Sequence, residues 1–428
     1  MDELRIRIAK VVDTYQEQIV ATLREWVRIS TQNPPGERYV ELVERIVPRF
    51  AALGFDARRV DVPPEVFEQR SRAHYPELVG PRPNVLARLA QPGKPGLLWY
   101  CHLDTVPVGD AAQWTIPPLE GVIKEGRVWG RGTADSKAGC VAALAAFELL
   151  RDLGIALAVS PVVALTTDEE TGPYTGLMYL ADQGTFRDCA WFHSLDGAAG
   201  AVGVANAGAF TWTIRVRGKS VHSGFSPLGV NPIEHSLVLL EEILALKRAV
   251  QERVSAIPAS PAVAARGGGS HLRGLLNVNI AHGGYKHNIV PAEFVIEGDR
   301  RFLPEEDEEA AIGELRAAVE RARARDPLLD AALRIRPFYT SYALPMDHPW
   351  ALHVRRVAEE VTGHEHPIIG SNGSSDVAHV ARVTGIPTVK LGVNRPGETN
   401  HHGIDENVRI ADVLSLVKII CVLAATTE

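Results

Sequence analysis

Apolar residues recur at helical spacing among charges through Glu3–Arg28 and again through Tyr39–Leu53, where Gly54 ends the run. Two amphipathic helical segments are therefore predicted to open the chain. The apolar stretches Asn84–Ala90 and Leu97–Leu103 are strand-like, and the cluster Pro92–Gly96 between them predicts a hairpin-like link. A Gly-rich turn at Gly130–Gly132 then feeds an Ala-rich helix over Ser136–Leu153, and Val159–Leu165 reads as a strand ending on polar Thr166 and Thr167. Strands alternating with helices predict an α/β layer architecture.

From Phe210 the texture changes. Thr211–Arg217 alternates apolar and polar residues like a half-exposed strand, Pro232–Val250 is an amphipathic helix, and Asn277–Ile280 and Phe294–Arg300 are again strand-like. A helix is predicted over Pro304–Arg325, with the acidic run Glu305–Glu309 in its first turn, where the helix dipole favours it. After Tyr342 the first pattern returns, with a helix at Pro349–Thr362, the segment Val377–Val383, a strand at Pro387–Leu391 and a closing helix at Ile410–Ala425. The predicted organisation is one α/β domain formed by residues 1–206 and 343–428, interrupted by an α+β insert at 207–342.

Composition narrows the functional classes. The 428 residues ask for two or three domains. At 46% hydrophobic and 23% charged residues, no long disordered tract is expected. A net charge of −7 gives no basic footprint for nucleic acid. Cys101, Cys140, Cys189 and Cys421 contain no C-x-x-C pair, so buried free thiols are expected rather than a thiolate zinc site. Charges throughout Met1–Ser30 leave no apolar core for a signal peptide, and Ile155–Leu165 is too short to span a bilayer. A cytoplasmic protein without membrane contact is the expectation. The excess of 36 Arg over nine Lys suggests no function.

Five segments place metal-binding side chains after strands or at turns. In Tyr100–Thr105, His102 and Asp104 are two apart and share a strand face, so Asp104 can hold the ring nitrogen that His102 does not offer to a metal. In Gly130–Gly139, Asp135 stands where a dinucleotide fingerprint would have its third Gly, and its charge would repel a pyrophosphate. The same carboxylate can bridge two cations. Asp168-Glu169-Glu170 are three acids after an apolar strand; they repel one another unless a cation is near, and neighbours pointing different ways suit one metal ligand and one proton carrier. Asp196 in Ser194–Gly197 and the pair His401-His402 near the C-terminus complete the set. Singly, each segment reads as readily as an ordinary polar loop. Together, two His sites and three acidic sites form a plausible ligand set for a binuclear zinc hydrolase.

In their order along the chain these motifs resemble metallopeptidase family 20, the co-catalytic zinc enzymes that include desuccinylases, deacetylases, aminoacylases, glutamate carboxypeptidase and several di- and tripeptidases. The likeness runs from about Glu17 to Val422. It implies a zinc-peptidase-like α/β catalytic domain with an inserted ferredoxin-like α+β lid and dimerisation domain. It also implies two zinc ions per chain, with Co2+ or Mn2+ as alternatives: one held by His102, Asp135 and Asp196, the other by Asp135, Glu170 and His402. His402 is chosen over His401 because the family's last His ligand precedes a Glu by four positions, as His402 precedes Glu406. Glu169 matches the general acid/base and Asp104 the carboxylate behind the first His.

In the insert, Gly218–Gly224 resembles the motif whose His, here His222, reaches the partner's active site in a homodimer and steadies the oxyanion. Asn288 in Asn288–Pro291, Arg301 in Asp299–Arg301, and Gly373 and Ser374 in Gly373–Asp376 resemble the substrate-contacting segments, with Arg301 a candidate for the substrate carboxylate. The implied reaction is hydrolysis of an amide bond in an N-acyl amino acid or short peptide, with a metal-activated water as nucleophile and Glu169 moving its proton. Asp196 stands where desuccinylases and deacetylases have Glu and aminopeptidases and dipeptidases have Asp, whereas Gly373–Asp376 leans toward the desuccinylases. Both substrate classes stay open. A non-catalytic metal-dependent binding protein is the rival from another class, but every ligand and the acid/base position are present.

Overall fold

The computed structural model describes residues 3–172 and 174–426. Its chain divides into two compact units: residues 1–204, 344–369 and 375–428 form the first, and residues 205–343 and 370–374 the second.

The first unit is built on a mixed sheet. Its order is Asp56–Asp61, Pro83–Arg88, Ser160–Thr166, Gly96–His102, Cys189–Ser194, Thr388–Lys390 and Val202–Asn206. The four strands Ser160–Thr166, Gly96–His102, Cys189–Ser194 and Thr388–Lys390 run parallel. Every residue of Gly96–His102 is buried, as a strand must be when it has parallel neighbours on both sides and helices over its faces. The Ala-rich helix Ala138–Asp152 packs against the closing helix Ile410–Ala425, which is buried along most of its length, and Leu97, Trp99, Val163 and Leu165 meet them in one core. The four cysteines are all buried and free.

Three local expectations change. Pro83–Arg88 and Gly96–His102 are not hairpin partners, because Ser160–Thr166 lies between them and pairs with both. The apolar stretches were compatible with either pairing, and only burial on both faces decides it. The opening segment is two helices, Glu3–Thr14 and Gln16–Val27, divided at Tyr15. The helix placed at Pro304 starts at Glu308, because the Asp307 carboxylate accepts the Ala310 N–H and caps it there. Only Glu308 and Glu309 of the acidic run therefore sit in the first turn. Glu305 accepts from Ser255, and Glu306 pairs with Arg253 and Arg300.

The second unit is a β-α-β-β-α-β sandwich. Its four antiparallel strands lie in the order Leu275–Gly283, Glu293–Phe302, Gly208–Arg217 and Asp330–Tyr339, and its helices are Pro232–Gln251 and Glu308–Arg325. Along Gly208–Arg217 the residues Phe210, Trp212, Ile214 and Val216 point inward to Leu239 and Ile243 of one helix and Ile312 and Leu315 of the other. This is the ferredoxin-like α+β architecture that the family resemblance implied. Among the described residues no helix is long and apolar enough to cross a membrane.

Candidate metal centre

The parallel strands of the first unit deliver their chemistry at their carboxyl ends, the usual place for ligands in such sheets. His102 is the last residue of Gly96–His102, Asp168–Glu170 follow Ser160–Thr166, and Asp196 follows Cys189–Ser194. Asp135 arrives from the turn before the Ala-rich helix. That turn needs Gly132 at φ 81°, where an added Cβ would lie 2.5 Å from Thr105 Cγ2, and the Asp135–Ser136 peptide is cis.

The Nε2 of His102 lies 2.9 Å from Asp135 Oδ1, and the Nε2 of His402 lies 3.0 Å from both Asp135 Oδ2 and Glu170 Oε2. Asp135 thus turns one oxygen to each imidazole. One donor atom each from His102, Asp135 and Glu170 falls within a 4.8 Å cluster. Behind it, the Asp104 carbonyl is 3.0 Å and its carboxylate 3.5 Å from His102 Nδ1, which leaves Nε2 as the ring nitrogen facing Asp135. Metal-ligating histidines are commonly held this way.

Burial opposes charging of His102, but the Asp104 and Asp135 carboxylates outweigh it and hold the ring well above its ordinary range. For His402 the hydrogen bonds to Asp135 and Glu170 dominate over burial and push it up to about 11. Burial and the Asp135 charge raise Glu170 to about 7 against the pull of His402. Glu169 is pushed well above its usual range, first by burial and then by the charges of Asp376, Glu170 and Asp196, with His102 pulling the other way. Its backbone N–H, and that of Glu170, donate to the two Asp104 oxygens at 3.2 and 3.1 Å.

Three organising residues, Asn33, Arg82 and Tyr39, carried no signal in the sequence, and they act on acids that did. Asn33 donates to Asp104 Oδ2 at 2.9 Å and to Asp168 Oδ1 at 3.1 Å, joining two buried carboxylates through one amide. Asp168 sits at φ 68° and forms a fully buried ion pair with Arg82 at 2.5 Å. It also accepts from Tyr39 and Thr175. Asp168 is thus the anchor of the acidic loop, and the two acids after it face the cluster. Glu406, fully buried, accepts from Arg131 at 2.6 Å and from the N–H groups of Gly132, Ala134 and Asp135, so it shapes the turn that presents Asp135. Asp196 adds its charge to those around Glu169, and its Oδ2 is 3.0 Å from Lys390 Nζ, which also reaches Ser375 Oγ at 3.3 Å. Asp376, raised to about 7 chiefly by burial, accepts from Tyr100 at 2.7 Å.

In the second unit, Val221–His222 pairs with Ile289–Val290, and the exposed His222 ring accepts the Gly224 N–H at 3.1 Å. The Ser223 N–H donates to the Asn288 carbonyl at 3.0 Å. Arg301 bonds Asp299 at 3.1 Å and Ser374 Oγ at 2.9 Å, and the Gly373 carbonyl accepts from Asn206 at 3.0 Å. The candidates divide between the units: His102, Asp104, Asp135, Glu169, Glu170, Asp196 and His402 in the first, and His222, Asn288, Arg301, Gly373 and Ser374 in the second.

The donor set of imidazole and carboxylate, with a two-sided Asp135 and a backed His102, fits divalent zinc or a similar ion. An α/β sheet carrying it at the ends of its parallel strands is the arrangement of a metal-dependent hydrolase. The chain belongs to peptidase family M20/M25/M40, whose model matches residues 98–426. Members of that family hydrolyse amide and peptide bonds and depend on metal.

Among its relatives, a probable succinyl-diaminopimelate desuccinylase of Staphylococcus epidermidis is 26% identical over 94% of this chain and 96% of its own length. The succinyl-diaminopimelate desuccinylase of Alkalilimnicola ehrlichii is 26% identical over 88% and 90%. Among solved structures, an M20 family metallo-carboxypeptidase from Sulfolobus solfataricus superposes with a TM-score of 0.77 at 19% identity, over 98% of both chains. Human carnosine dipeptidase 1 gives 0.74 at 17% identity, over 98% of this chain and 99% of its own. These two likenesses speak for the fold.

Proposed function

We propose that this hydrolase removes the acyl group of an N-acyl amino acid, with two divalent metal ions per chain and Glu169 as the proton carrier. The observation that carries the reading is Asp135, which addresses His102 with one oxygen and His402 with the other, with Glu170 on the second side. One ion would be held by His102, Asp135 and Asp196, the other by Asp135, Glu170 and His402. When bound, such a pair supplies Lewis acidity and eases the deprotonation of water.

The residues of the chain divide the remaining work. Asp135, Glu170 and the two imidazoles bind; Asp104 orients His102 and, through the Glu169 and Glu170 N–H groups, the acidic loop. Burial of Glu169 beside three other acids raises its hold on a proton, which suits a group that takes a proton from water and returns it to a leaving amine. In the second unit, Arg301 is the candidate for the substrate carboxylate and His222 for the oxyanion of a partner subunit, with Asn288, Gly373 and Ser374 lining the substrate. A homodimer through this unit is part of the proposal. Exposed Ile233, Leu237 and Leu244 on the helix Pro232–Gln251, spaced at four and seven residues, support it. A cytoplasmic setting is proposed on the same footing.

Relatives named as desuccinylases favour deacylation. The dipeptidase reading rests on Asp196 in place of Glu. The deciding experiment is metal analysis with a substrate panel of N-acetyl, N-succinyl and N-carbamoyl amino acids beside free dipeptides. About two ions per chain and turnover of acylated substrates are expected. Full activity after chelation, or turnover of dipeptides alone, overturns the reading.

A further inference from the structure

At the other end of the same parallel strands lies a cavity of about 590 Å3 that the metal chemistry does not use. Leu97 is five residues before His102 in one strand, so the cavity wall and the metal cluster are separated by roughly 16 Å. Its floor is Leu97, Val159 and Leu423, all buried. Its wall is aromatic: Trp191 stacks on Trp350 with ring centres 5.5 Å apart and planes at 21°, and His353 stacks near Trp350 at 5.9 Å and 25°. Trp350 is 5% exposed and spends its indole N–H on the Phe192 carbonyl at 3.1 Å, whereas Trp191 is only half-buried and keeps ring surface toward the opening.

The rim is cationic. Arg356 lies 3.0 Å from His353 Nδ1 through its guanidinium, which can only donate. Arg355 stands beside it, and the one acid among the described residues of the lining, Glu359, is already engaged: it accepts the His366 N–H at 3.1 Å and faces Arg355 at 4.0 Å. Flat ring surface over an aliphatic floor, edged by two guanidinium groups, matches one ligand chemistry: a planar aromatic ring bearing an acid. The size is that of small-molecule sites, and stacking plus charge-assisted hydrogen bonding are the interactions available.

We infer that this cavity is a second ligand site, selective for planar aromatic acids and separate from the metal centre. The inference is independent of the deacylase reading. It is tested by calorimetric titration of the full, metal-loaded chain with indole-3-acetate, with indole-3-acetamide and cyclohexylacetate as controls lacking the charge and the flat ring. One saturable site per chain is expected, weakened about tenfold or more for either control and for Arg356→Ala or Trp191→Ala. Arg356 is exposed, so its variant remains informative if replacement of Trp191 disturbs folding. Hydrolysis by Arg356→Ala should stay at the parent rate. No saturable binding, equal binding of the acid and its amide, binding indifferent to Arg356→Ala, or displacement of the probe by a hydrolysed substrate would each overturn the inference.

Discussion

The polar groups of the two units are organised in opposite ways. In the first unit the acids that back the cluster are each held in place: Asp104 by Asn33 and two N–H groups, Asp168 by Arg82, Tyr39 and Thr175, Glu406 by Arg131 and three N–H groups. In the second unit His222 is exposed and takes one local N–H, and Arg301 rests on Asp299 and Ser374. Fixed buried charge is what a metal-binding and proton-moving centre requires, because dipoles already in place need no reorganisation when charge develops. Exposed, lightly held groups suit residues that meet substrate from outside. The contrast teaches that damage to the first unit should reach rate and stability together, and damage to the second should reach substrate handling.

The sharpest test sets the two units against each other. Glu169→Ala should keep its metal and lose about 10²–10⁴-fold in kcat. His222→Ala should lose activity while remaining folded. Mixed, the two inactive variants should recover part of the activity if His222 acts on a partner subunit. Metal content by plasma emission and steady-state rates read the outcome, and a near-normal rate for Glu169→Ala ends its assigned role.

Stability probes the same contrast at slightly smaller scale. Arg82 and Asp168 are both fully buried, so Arg82→Met strands a carboxylate beside Asp104 and should cost about 3–5 kcal/mol in urea unfolding. Replacing both, as Arg82→Met with Asp168→Leu, should return much of the loss, because a removed ion pair leaves no orphan charge. An equal cost for single and double variants would show that Asp168 matters through Tyr39, Thr175 and Asn33 rather than Arg82.

That pair also shows where sequence reading stops. His102, Asp135 and Glu170 were legible because strand-end His and acid residues in this order bear a chemical meaning, and the α/β character was legible because buried parallel strands are continuous apolar runs. Arg82 and Asn33 lie in Pro-rich segments with no periodicity, and their partners are 86 and 71 residues away. Nothing local marks a residue whose role is to satisfy a distant buried carboxylate. The hairpin expected at Pro92–Gly96 failed for the same reason: the turn residues are local, but the strand that intervenes arrives from residue 160. Lys390, which holds Asp196, looks in sequence like the polar end of a short strand.

Proton linkage gives a test that avoids the metal centre. Burial lowers His193 from its ordinary 6.5 to about 4, while its Nε2 stays 3.1 Å from the Leu391 carbonyl. Because the folded pKa lies below the unfolded one, the unfolded state binds the proton first. The His193 contribution is therefore complete above pH 6.5 and is lost as pH falls from about 6.5 toward about 4, at up to about 1.4 kcal/mol per pH unit. His193→Gln should flatten the acid limb of the stability curve relative to the parent. Parallel limbs would mean that His193 is protonated in the fold.

The smallest expected effect belongs to the second unit and bears most directly on the contrast. Arg301 has its guanidinium on Asp299 and Ser374, at 3.1 and 2.9 Å, and is about a third exposed. If it receives the substrate carboxylate, Arg301→Ala removes a charge-assisted hydrogen bond worth about 1.5–3 kcal/mol, so KM should rise about 10–100-fold with kcat close to parent. Arg301→Lys should recover only part, since an ammonium cannot grip a carboxylate in the bidentate manner of a guanidinium. A fall in kcat at unchanged KM would place Arg301 with the rigid chemistry of the first unit and break the division between the two.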